Sequence, residues 1–145
     1  NANVRLGVFM ALVGGGGAPN VAGSNPAGTG TTLNYIGDHC YANSGFLPFT
    51  NSAEVTLLKF TTGNSYIVAD ILLMRNDQNS DNSAHRIYID DQLVGSVPQN
   101  SGSIQMGGQP IIYLFPPQAT IKITVINEVG ATTLQGGASI SGRVY

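Results

Sequence analysis

The segment TIKITVINE, residues 120–128, decides the class of the fold. Ile121, Ile123 and Val125 alternate with Lys122 and Thr124. Successive side chains of an extended chain point to opposite faces, so this period of two marks a strand with one buried and one solvated side. The same alternation places Ile87 and Ile89 inward and Arg86, Tyr88 and Asp90 outward in HRIYID, residues 85–90. In ASISGRVY, residues 138–145, Ile140 and Val144 oppose Ser139, Ser141 and Arg143.

Outward from these segments, candidate strands fall at 4–13, 31–42, 54–62, 65–76, 85–97, 110–116, 120–128 and 138–145. The separators TGN, NDQNSDNSA, PQNSGSIQMGGQ and EVGATTLQGG are rich in turn-forming residues. No long window carries the apolar spacing of a helix, and Gly and Pro interrupt most stretches. About eight short strands predict an all-β, antiparallel β-sandwich, and the long loops favour a jelly roll over simple hairpins. Within HRIYIDDQLVGSV the turn is expected at Asp91 and Gln92, with residues 93–97 as the returning strand.

Three segments break the alternation. YIVADILLM offers Ile67, Ala69, Ile71 and Leu73 to one face but Val68, Leu72 and Met74 to the other. IIYLF is apolar on both faces, and VRLGVFMALV, residues 4–13, nearly so. A second apolar face must be covered by a loop, an arm or another chain. Candidate interface residues are therefore Val4, Leu6, Val8, Phe9, Met10, Leu12, Val68, Leu72 and Met74.

The 145 residues fit one domain with a core, and 42% hydrophobic residues exclude a disordered chain. Charged residues make up 10%, against an average of about 25%. Low charge suits a protein packed among copies of itself, and also a plain extracellular β-protein. The net charge is −2 and Arg5 is the only basic residue before Lys59, so no basic arm for nucleic acid is present. Cys40 is the single cysteine, which excludes an intrachain disulfide. No apolar run reaches the roughly 18 residues of a membrane-spanning helix. The sequence starts at Asn1 rather than Met, which fits proteolytic maturation or a trimmed start.

LVGGGGAPNVAGSNPAGTGTT, residues 12–32, holds four consecutive glycines. A phosphate loop needs a lysine after its second glycine, and Thr29 stands there in GSNPAGTG. A dinucleotide fingerprint must open a helix, and Pro19 with Asn20 opens none. A flexible connector remains. The expected organisation is an N-terminal strand and Gly-rich arm over 1–30 and a sandwich domain over 31–145, with the strand at 4–13 crossing to a neighbour.

Chemistry-bearing residues are few. In DHC, residues 38–40, neighbours on a strand project apart, so His39 and Cys40 form no dyad. Asp38 and Cys40 are expected on one face, with Cys40 a buried structural thiol. Asp77, Asn79 and Asp81 resemble the first half of a calcium loop, but Asn82 and Tyr88 stand where Gly and Glu are needed. A long polar hairpin is the simpler reading, and no metal or cofactor is expected. Asp90 and Asp91 are adjacent and point apart, unlike a glycosidase pair. The chain has six Tyr but no Trp for sugar stacking.

The runs LLKFTTGNSYIVADILLMRND, HRIYIDDQLVGSV and PIIYLFPPQATIKITVINE, with the closing ISGRVY, resemble small β-sandwich structural proteins of viruses, especially tailed or icosahedral phages. The resemblance covers residues 31–145 and implies a jelly-roll-like sandwich that decorates, cements or caps a capsid in the virion. The expected function is that of a non-enzymatic structural subunit, acting through self-association or contacts with other capsid proteins. One alternative is a secreted filament or surface-layer subunit at the cell surface, using N-terminal strand exchange. Another is a carbohydrate- or receptor-binding module.

Overall fold

The computed structural model describes residues 33–75, 82–99, 110–130 and 132–145. The expected arm over 1–30, with Val4, Leu6, Val8, Phe9, Met10 and Leu12, lies outside the described residues. So do the calcium candidates Asp77, Asn79 and Asp81.

Ten strands are described: β1 (Asn34–Ile36), β2 (His39–Asn43), β3 (Leu47–Phe49), β4 (Val55–Thr61), β5 (Ile67–Arg75), β6 (Ser83–Ile89), β7 (Gln92–Gln99), β8 (Ile111–Phe115), β9 (Thr120–Asn127) and β10 (Leu134–Val144). They form two antiparallel sheets. The first runs β1-β2-β10-β5-β8, with β3 also paired to β10. The second runs β4-β9-β6-β7. The pairs nest, β6 with β7, β5 with β8, β4 with β9 and β2 with β10. One long antiparallel ribbon is thus rolled over on itself, which is the jelly-roll connection.

Seven of the eight expected runs reach the described residues, where ten strands are found, and the difference has local reasons. The run at 31–42 is split by a tight turn at Gly37 and Asp38, where Gly37 has φ +60°. β3 was not expected, because Pro48 breaks a short, weakly alternating run. A break after β2 at Gly45, φ +64°, separates β3 from it. Ser44 bridges the break: its Oγ accepts from the Ala138 N–H at 2.8 Å, and its N–H donates to the Ala138 carbonyl at 2.9 Å. The β6–β7 turn also differs from expectation. It lies at Asp90 and Asp91, one residue earlier than read, and both have positive φ (49° and 64°). That is the two-residue hairpin geometry whose twist matches the flanking strands, and Asp tolerates it. Asp90 reinforces the turn by accepting from the Thr120 N–H at 2.8 Å.

The core lies between the sheets as the alternation requires. Ile121, Ile123 and Val125 of β9 meet Ile67, Ala69, Ile71 and Leu73 of β5 in one buried cluster with Leu57, Ile87, Phe115 and Ile140. Phe60 and Phe115 pack edge to face, with centroids 6.0 Å apart and planes at 66°. Each fully buried aliphatic or aromatic side chain here contributes about 1.5–3 kcal/mol.

One end of this interior is polar. Arg75, Ser83, His85 and Gln99 are buried together, and the Arg75 guanidinium approaches Ser83 Oγ and the Gln99 carbonyl, each at 3.4 Å. Among the described residues, neither ring nitrogen of His85 has a hydrogen-bond partner. The backbone of Gly137 and Met74 favours a proton on the ring without reaching hydrogen-bond geometry. Burial, helped by the Arg75 charge, outweighs that and pushes the imidazole down to about 4.

Candidate functional site

The sandwich has two outer faces of opposite character. On the second sheet, Glu54 sits just before β4 and gathers the polar residues of the neighbouring strands. Its carboxylate accepts from Arg86, from Tyr88 Oη at 3.0 Å and from Thr124 Oγ1 at 2.9 Å. Arg86 also donates to Glu128 at 3.1 Å. Burial opposes ionisation of Glu54, but these hydrogen bonds and the Arg86 charge hold its carboxyl below the usual range. Lys122 lies 4.6 Å from the centre of the Tyr88 ring. The donors and acceptors of this network satisfy one another.

The first sheet presents the reverse. Across its outer face, aligned residues run His39, Arg143, Val68, Leu114 in one row and Tyr41, Ser141, Asp70, Ile112 in the next. Each row turns apolar towards β8. Ile112 is 71% and Leu114 57% exposed, and Val68 is also exposed. Tyr66, Val68, Leu114 and Tyr145 line a shallow groove of about 470 Å³. Tyr145 is fixed there by its N–H, which donates to the Tyr66 carbonyl at 2.8 Å, and the Arg143 guanidinium lies 5.7 Å from its ring centre. At the opposite side of the face, Asp38 neutralises Arg143 at 3.1 Å and sits 2.9 Å from His39.

Val68, Leu72 and Met74 therefore do face away from the core, Val68 exposed and the other two half-buried. Two environments divide them. At the Met74 end the chain at Gly45 folds over the sheet so closely that a Cβ on Gly137 would come within 2.6 Å of the Gly45 carbonyl oxygen and 3.4 Å of Met74 Cε. At the Val68 end the face is open to solvent. The sequence reading missed Ile112, Leu114, Tyr66 and Tyr145 as members of this surface. The two-sided apolarity of IIYLF was the available signal, but only the pairing of Val68 with Leu114 and of Asp70 with Ile112 assembles the patch.

The DHC triplet separates as a strand requires at His39 and Cys40. His39 is exposed and Cys40 fully buried, and burial pushes the thiol up to about 11 against a lowering hydrogen bond from the Gly142 backbone. Burial likewise raises the neighbouring Tyr35 to about 12. The expectation that Asp38 shares the face of Cys40 is corrected. Asp38 lies in the β1–β2 turn, outside strand alternation, and its carboxylate reaches His39 and Arg143 on the outer side. Among the described residues, no group of three or more His, Cys, Asp or Glu is placed to hold a metal ion. Among the same residues, no helix is long and apolar enough to cross a membrane.

No family model matches the sequence, and no curated protein matches it. Solved structures with a similar arrangement exist at low identity. The VP2 subviral particle of infectious bursal disease virus is 11% identical with a TM-score of 0.46, over 78% of this chain and 35% of that one. The T13 particle of the same virus gives 11% and 0.47, over 78% and 33%. A β-glucosidase from Paenibacillus barengoltzii gives 12% and 0.35, over 68% and 10%. The chain thus spans about a third of the length of these virus-particle chains.

Proposed function

We propose that this chain is a non-enzymatic structural subunit of a virus particle, a capsid or capsid-decorating component that works through contacts between subunits. The observation that carries the reading is the open apolar strip of Val68, Ile112 and Leu114 with Tyr66 and Tyr145 on one outer face. A small monomer gains nothing from keeping such a strip in water, and exposed apolar patches mark interaction surfaces. The other outer face is occupied by the self-satisfied Glu54 network, so the two faces are built for different surroundings. The low charge of the sequence and its resemblance to small viral sandwich proteins favour a particle over a soluble enzyme.

A glycan-binding module fits the groove less well. Its four lining residues are all aliphatic or aromatic, and the two tyrosine hydroxyls are their only polar side-chain groups, whereas a sugar must exchange many hydrogen bonds with water for bonds to protein. The test is the mass of the full-length protein in solution and electron microscopy of the source material. Large, regular particles or rings are expected; a strict monomer at every concentration contradicts the reading.

A further inference from the structure

Strand β8 is the edge of the first sheet. It pairs with β5, and no other described strand lies on its far side. An edge strand offers a row of backbone donors and acceptors to any extended segment that arrives. The residues it points outward, Ile112 and Leu114, are the most exposed part of the apolar strip. The sequence holds a segment of matching chemistry. In VRLGVFMALV, residues 4–13, the even positions are Val4, Leu6, Val8, Met10 and Leu12, so as a strand it has one wholly apolar side.

Residues 14–32 join that segment to Leu33. A flexible chain of this length spans about 24 Å on average and about 60 Å at full stretch. Leu33 precedes β1, at the edge opposite β8, four strand spacings away or about 19 Å. The straight path across the outer face from Leu33 to β8 of the same domain runs over its polar side, past His39, Arg143, Tyr41 and Ser141. The arm of a neighbouring copy is the other candidate for the same edge.

We propose that residues 4–13 of a neighbouring copy add a strand to the free edge of β8, extending the first sheet and laying their apolar side beside Ile112 and Leu114. This rests on the reading of the chain as an assembling subunit, and it names the contact that links one copy to the next.

The experiment mixes two full-length variants. One carries Leu114→Cys, and the other carries Leu6→Cys, Val8→Cys or Met10→Cys in turn. Cys40 stays in place because it is fully buried. After mild oxidation, mass spectrometry reads the disulfide-linked peptides. A mixed disulfide between the two chains is expected, at least about tenfold above a control in which Thr56→Cys, on the other sheet, replaces Leu114→Cys. Equal yields at both positions, or no mixed disulfide, overturn the proposal. In a chain carrying Val8→Cys and Leu114→Cys together, an internal bond with no intermolecular product also overturns it, by assigning the edge to the chain's own arm. Particles that form normally without the mixed disulfide sink this inference alone; absence of any assembly by the unmodified protein sinks the structural-subunit reading as well.

Discussion

The imidazole of His85 and the guanidinium of Arg75 are buried at the same end of the sandwich, and among the described residues the histidine has no hydrogen-bond partner for either nitrogen. Burial first, and the Arg75 charge second among the lowering causes, keep the ring neutral down to about pH 4. An unfolded histidine titrates near 6.5. Above that value the ring is neutral in both states and its contribution to stability is complete. As pH falls from about 6.5 towards about 4, the unfolded chain takes up a proton that the folded chain refuses, so stability declines by at most about 3 kcal/mol. Urea midpoints at pH 7 and pH 4.5 should therefore differ more for the native protein than for His85→Leu. An equal pH slope in the variant contradicts this.

Gly142 faces Cys40 across the β2–β10 pair, and a Cβ there would lie 2.9 Å from Cys40 Sγ, 2.9 Å from Ile67 Cγ2 and 3.1 Å from the Val68 carbonyl. Two of these neighbours are buried side chains without room to retreat. Gly142→Ala should cost about 1–3 kcal/mol by overpacking. Adding Cys40→Ala should recover only part of the loss, since Ile67 remains. Denaturant titration of the single and double variants reads the difference.

Glu54→Ala removes the acceptor shared by Arg86, Tyr88 and Thr124. The site is partly solvated, so the expected loss is about 1–2 kcal/mol. Because the network lies on the second sheet, assembly through the first should persist at protein concentrations and temperatures where the variant remains folded. Thermal unfolding and particle yield, measured together, check both statements.

Much of the fold was legible in the sequence because half-buried strands write their environment into alternate residues. Ile121, Ile123 and Val125 are fully buried, and Val68, Leu72 and Met74 point outward, as their positions required. Turns were less legible. A two-residue turn at Asp90 and Asp91 rather than Asp91 and Gln92 depends on backbone twist and on a bulge near Val94, where β6 and β7 shift register. Sheet order was not legible at all, since β10 must lie between β2 and β5 before Arg143, Val68 and Leu114 become neighbours. For the same reason the surface was half seen. Val68 came from local alternation, while Ile112 and Leu114 joined it only through a pairing between segments more than forty residues apart.

The central claim is that the open apolar side of the first sheet holds subunits together. Its most direct test is sedimentation velocity on the full-length protein beside the double variant Val68→Asp, Leu114→Asp. Both side chains are exposed, so the variant should keep its strand signal by circular dichroism. The native protein should sediment as a large assembly and the variant as a monomer of 15.1 kDa. A native protein that stays monomeric, or a variant that assembles as well as the native protein, would contradict the account.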